Sequence, residues 1–195
     1  MAMPAFTERA RRWSASEVRQ LIADNPLQTP RYELVDGELL VTPSPTVPHQ
    51  RAVMLLWKAL DDHLRRNPIG DAIVSPSDVE LAPGTIVQPD VFVLPPHEAQ
   101  RVLREAPVRE IMVAAEVLSP SSGQLDRVKK RRFYSERLLE YWIVDLDARI
   151  VERWPRYAQQ PEILVDELDW HPTGETDVFR LDLPRYFAAV FREAV

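Results

Sequence analysis

Between Ile111 and Leu118 the chain reads IMVAAEVL, apolar at every position except Glu116. A short continuous run of this kind suits a central strand covered on both faces. Elsewhere the hydrophobic period changes along the chain. From His49 to about Arg65, Val53, Leu56, Trp57, Leu60 and Leu64 recur at helical spacing. RYELVDGELLVT reads as two apolar-rich runs around Asp36-Gly37, a pair that favours a type I′ hairpin turn. Ser14-Ala-Ser-Glu17 is a capping box with Trp13 and Val18 placed as its hydrophobic staple, so a short helix is expected from about Ala15 to Ala23.

Short strands are expected next, in DAIV and DVEL around Pro76 and in TIVQPDVFVL (85–94) after the Pro83-Gly84 turn. Residues 95–109 read as helical or irregular. Ser121-Ser-Gly-Gln124 is placed to cap a helix running to about Leu138. YWIVD (141–145) and IVERW (150–154) predict two strands around a turn at Asp147, and EILVDEL predicts another. Pro184 is placed to open a last helix carrying Phe187, Val190 and Phe191. From residue 49 the order is helix, three strands, helix, strand, an α/β or α+β pattern around one central sheet.

Composition narrows the class. With 195 residues and 45% hydrophobic content, one domain spanning residues 1–195 is expected. The absence of cysteine excludes disulfides and thiolate zinc sites. A net charge of −6 argues against a surface that coats nucleic acid throughout, while leaving room for local basic patches. MAMPAFTERARRW lacks the apolar core of a signal peptide, and no run approaches the ~18 apolar residues of a membrane span. A soluble, cytoplasmic protein without membrane contact is expected.

Two acids stand where acids are costly. Asp90 follows Pro89 within an expected strand, and Glu116 interrupts the most apolar one. If the strands are neighbours, the two carboxylates share a pocket, repel one another and raise one pKa. Neutralising Asp90 should then leave the metal-free fold at least as stable. A hard cation such as Mg²⁺ resolves the repulsion through oxygen ligands; pairing with arginine or lysine resolves it equally well. Asp126, Lys130 and Tyr134 lie four apart and form one helical stripe, able to hang Lys130 over the carboxylates while Lys129 faces solvent. An ordinary Asp126–Lys130 surface pair fits the spacing too. For most of Arg127, Lys129, Lys130, Arg131 and Arg132, a solvated basic face is the plain reading.

RYELVDGEL, PHQ, VQPDV, AEVLSPSS, the Asp126/Lys130/Tyr134 stripe and EYWIVD occur in this order and together resemble the Uma-two family of restriction endonuclease-like proteins, placed in the PD-(D/E)XK nuclease superfamily. The resemblance covers about residues 30–154. It implies a restriction-endonuclease-like α/β core with an added N-terminal helix and hairpin and a C-terminal strand–helix extension. Pro89-Asp90 matches the first half of the superfamily pattern and Glu116 its second acid, whereas Leu118 occupies the place of the usual lysine. The resemblance puts that lysine on the following helix, at Lys130. Glu33 matches a further family acid, and the resemblance implies that it could bind metal directly or through water. The chain departs from the family in SERLL, between Tyr134 and EYW, where a glycine and one further residue often stand.

The expected function is therefore Mg²⁺- or Mn²⁺-dependent hydrolysis of phosphodiesters in DNA. Asp90 and Glu116 would bind the metal with help from Glu33, and Lys130 would orient the attacking water or stabilise the phosphorane. The rivals are a non-catalytic binding module on the same fold and a metal-dependent phosphoesterase for a smaller substrate. A homodimer is expected, since two cuts in a duplex suit two-fold symmetry. His49 and Gln50 match the family's HQ pair, although a lone histidine is more often structural. Glu38 is the rival of Glu33 in the hairpin. Asp78 and Glu80 read as the exposed face of a half-buried strand.

Overall fold

The Ser14 capping box forms as expected. Its hydroxyl accepts from the Glu17 N–H at 3.3 Å and Glu17 accepts from the Ser14 N–H at 2.8 Å, opening α1 (Ala15–Ala23). The structure, a computed structural model, describes residues 11–104, 107–118, 126–172 and 178–193, with the side chain of Asp126 outside that set. The expected cap at residues 121–124 lies outside the described residues.

β1 (Arg31–Val35) and β2 (Glu38–Thr42) form the hairpin. Asp36 and Gly37 both take positive φ, 51° and 78°, as a type I′ turn demands. Thr46 caps α2 (Val47–Arg66), whose first turn contains Pro48 and whose buried stripe runs Ala52, Val53, Leu56, Leu60, Leu64. β3 (Asp71–Val74), β4 (Val91–Leu94), α3 (Pro96–Val102) and β5 (Val113–Val117) follow. A π-helical turn, Asp126–Lys130, leads into α4 (Arg131–Ser135). The chain continues through β6 (Glu140–Asp145), β7 (Ile150–Pro155), β8 (Glu162–Leu164), β9 (Glu167–Trp170) and β10 (Phe179–Asp182) to α5 (Leu183–Phe191).

Six strands build a mixed sheet in the order β3-β4-β5-β6-β7-β8, with β5 and β6 parallel and the other neighbours antiparallel. One face packs on α2 and α5 through Val91, Val93, Ala115, Trp142 and Phe187. The opposite face packs Phe92, Ala114, Tyr141 and Ile143 against Phe133 and Tyr134 of α4. Cover on both sides is why all five residues of β5 are buried, Glu116 included.

Four expectations change. Residues 85–90 are not a continuous strand: Ile86 and Val87 make isolated bridges to Leu34 and Val79, and β4 begins only at Val91. Pro89 lacks the N–H a ladder needs, so Asp90 sits in the bend before the strand. DVEL contributes a bridge at Val79 rather than a strand. EILVDEL breaks at Val165-Asp166, where the chain leaves the main sheet as β8 and enters the two-stranded β9–β10 sheet. The helix expected to reach Leu138 ends at Ser135, closed by the Arg137 and Leu138 N–H groups donating to the Tyr134 carbonyl.

Candidate active site

Asp90 and Glu116 come together through register. β4 pairs with β5 as Val91↔Ala115, and one further step sets Asp90 opposite Glu116. Both are buried, at 2% and 1% exposure. Their carboxylates take different direct ion-pair partners, Arg31 and His49 for Asp90 and Lys130 for Glu116.

The first group centres on Asp90. Its Oδ1 accepts from Arg31 Nη1 at 2.8 Å, and its Oδ2 accepts from the Val117 N–H at 2.9 Å and lies 3.2 Å from His49 Nε2. Burial alone would raise this carboxyl. The His49 hydrogen bond, the Arg31 charge and the Val117 amide outweigh it and hold Asp90 well below the usual carboxylate range. The expected repulsion between acids is thus replaced by pairing. That corrects the expectation that neutralising Asp90 is harmless: it would remove the direct ion-pair partner of the half-buried Arg31 guanidinium. Among the described residues, His49 Nδ1 has no hydrogen-bond partner.

The second group centres on Lys130, 2% exposed, whose Nζ lies 2.8 Å from Glu33 Oε2 and 3.0 Å from Glu116 Oε1. Glu33 is fully buried in β1, and its other oxygen accepts from the Gln88 N–H at 2.7 Å. The hairpin is held there by the paired Leu34–Ile86 backbone bonds. Lys130 lies on the same buried side of its helix as Tyr134, whose ring lies 4.7 Å from that of Tyr141.

Arg31 joins the groups. It also donates to Ser75 Oγ at 3.1 Å and the Gln88 carbonyl at 3.4 Å. Burial opposes its charge, yet Asp90, Glu116 and Glu33 together push its pKa above the ordinary arginine value. Arg31 and His49 line a cleft of about 190 Å³ that reaches Asp90 and is walled by Leu27, Pro43, Pro45 and Pro76. A second cleft of about 220 Å³, bounded by Asn25, Tyr32, Asp78 and Gln88, shares Gln28, Arg31 and Pro76 with the first.

Arg31 was not singled out in the sequence, although a signal exists. It stands two residues before Glu33, hence on the same face of β1, and a cluster of buried acids requires buried cations. His49 joins the site through Asp90, whereas Gln50 only borders the cleft. Glu38 stays outside, paired with Lys129 on the surface. Asp78 accepts from Gln88 Nε2 at 2.7 Å, and Glu80 pairs with Arg19. The basic helix is less free than a solvated face. Arg127 bridges Asp145 and Glu152 at 2.6 and 2.7 Å, Arg131 stacks over Trp154, and of these Arg132 is the most exposed.

Three buried carboxylates on hard oxygen donors have the chemistry for Mg²⁺. Among the described residues, no three His, Asp or Glu side chains converge as a ready-made metal cage. Mg²⁺ does not require one, since it keeps several waters and is commonly held by one or two carboxylates. The donor set therefore fits the ion, provided the cations now on those oxygens give way.

No curated protein matches the chain. A solved structure described as "a putative nuclease belonging to DUF820", from Anabaena variabilis, superposes with a TM-score of 0.69 at 17% identity, over 83% of this chain and 92% of that one. The shared fold is the restriction-endonuclease-like α/β fold, a central mixed sheet between helices. Among the described residues no helix is long and apolar enough to cross a membrane. The profile described as "Uma2: Putative restriction endonuclease" matches residues 15–182, and the chain accordingly belongs to the Uma2 family.

Proposed function

We propose that the chain is an Mg²⁺- or Mn²⁺-dependent endonuclease that hydrolyses phosphodiester bonds in DNA. One observation carries the reading: Lys130, 14 residues beyond Glu116, returns its ammonium to that acid and to Glu33, beside the strand register that sets Asp90 opposite Glu116. A fold hosts many functions, so this constellation and membership of a family described as "Putative restriction endonuclease" support the activity where the fold alone does not.

Asp90 and Glu116 would hold the ion, with Glu33 assisting. When bound, it would stabilise charge on the phosphoryl group and lower the pKa of an attacking water. Lys130, fixed between two carboxylates, would orient that water or stabilise charge developing on phosphorus. The cleft at Asp90 would admit the scissile phosphate. In this reading a cytoplasmic homodimer cuts both strands of a duplex.

The test is cleavage of single-stranded, duplex and branched DNA with Mg²⁺, Mn²⁺ or EDTA, comparing wild type with Lys130→Ala and Asp90→Asn. Metal-dependent cutting lost in both variants supports the reading. One observation favours a non-catalytic binding module instead: three donors already occupy the Asp90 carboxylate. DNA binding with neither metal binding nor cleavage would establish that rival.

A further inference from the structure

Charge at the site can be counted. Among the described residues Asp90, Glu33 and Glu116 contribute three negative charges against two positive ones from Arg31 and Lys130. Counting these five side chains, a divalent cation added to the group leaves one positive charge in excess. A single phosphodiester supplies the matching negative charge.

The two cations are not equivalent. Lys130 has 3% side-chain exposure and borders neither of the clefts beside Asp90. Arg31 has 15% exposure and borders both. Its Nη1 atom carries the bonds to Asp90, Ser75 and Gln88, so one edge of the guanidinium makes all three contacts. A guanidinium has five N–H donors in a planar fork that matches two phosphate oxygens at once.

We propose that Arg31 is a substrate-binding residue that grips the scissile phosphate in the cleft beside Asp90, and that its pairing with Asp90 is the substrate-free position of the same side chain. This rests on the nuclease reading. A divalent cation would take over the neutralisation of Asp90, releasing the guanidinium to the phosphate. Arg31 and the metal are then competitors for Asp90 and partners toward DNA.

The experiment uses the full chain with three readouts: Mn²⁺ affinity by calorimetry, affinity for an oligonucleotide in Ca²⁺ across a salt series, and melting temperature. Arg31→Gln should bind Mn²⁺ at least as tightly as wild type, because a competing cation is gone. Its DNA affinity should fall, with a slope against log salt smaller by about one. Arg31→Lys keeps the charge without the fork, so its slope should match wild type while its affinity is reduced; it also serves if the glutamine variant fails to fold. An unchanged DNA slope in Arg31→Gln overturns the proposal, and so does Mn²⁺ affinity falling alongside the melting temperature. If Arg31→Lys alone folds, wild-type DNA affinity in it overturns the proposal as well. Wild type that binds no DNA fails the nuclease reading itself, a result distinct from DNA binding that ignores Arg31.

Discussion

The Lys130 ammonium lies 3.0 Å from the Glu116 carboxylate, and both side chains are buried. A strand acid and a helix base 14 residues apart meet because the chain leaves β5 and returns across the same face of the sheet. The pair, with Glu33 on its other side, sets the first prediction.

Lys130→Ala removes an ammonium paired directly with two buried carboxylates. Removing one partner of a buried pair typically costs about 3–5 kcal/mol, so chemical denaturation should show a large loss of stability, and cleavage should vanish even below the melting temperature. Lys129→Ala breaks only a surface pair with Glu38 and should change stability by less than about 1 kcal/mol. Equal effects from the two lysines would remove Lys130 from the site.

Asp90→Asn should abolish cleavage and destabilise the protein. Asparagine can still accept from the Val117 N–H, but it cannot balance Arg31. Combining it with Arg31→Met should recover much of the loss, since an apolar replacement of a buried pair is often neutral or better. A double-mutant cycle in urea checks this, with additive losses the result that contradicts it.

Mg²⁺ or Mn²⁺ should raise the melting temperature of wild type. A ligand at 100 times its dissociation constant adds about 2.7 kcal/mol to stability. Asp90→Ala and Glu116→Ala should lose the shift. A wild-type melting curve that ignores millimolar levels of both ions would refute the metal site.

Acid should weaken the fold through a carboxylate outside the site. Glu98 accepts from Arg101 and from the Arg109 and Glu110 N–H groups. These bonds, the Arg101 hydrogen bond foremost, lower its pKa from 4.5 to about 2. A folded pKa below the unfolded one means the stabilisation is complete above pH 4.5 and drains as pH falls through about 2. The difference in melting temperature between wild type and Glu98→Gln should therefore shrink across that interval. A constant difference would show that ionisation of Glu98 does not matter.

Glu98 also shows why burial alone does not mark function. It is as hidden as the site acids, at 3% exposure, yet it ties α3 to the approach of β5. Glu116 differed from it in the sequence because its surroundings were apolar on both sides and a lysine followed at a returnable distance.

Local chemistry wrote much of this protein into its sequence. The capping box, the Asp36-Gly37 turn, the α2 stripe and the buried β5 run act over a few residues, and each folds much as its pattern implies. Lys130 was legible from the helical stripe it shares with Tyr134 together with the family resemblance, which puts the lysine on this helix. Tertiary structure alone decided the partners of Asp90 and Glu38. Arg31 and Asp90 lie 59 residues apart, and no local period links them. The same holds for His49 against Asp90, for Lys129 against Glu38 and for the break of EILVDEL between two sheets. A turn or cap is settled by dihedral preferences and near hydrogen bonds, whereas a buried charge takes whichever partner the packed sheet and helices bring within reach.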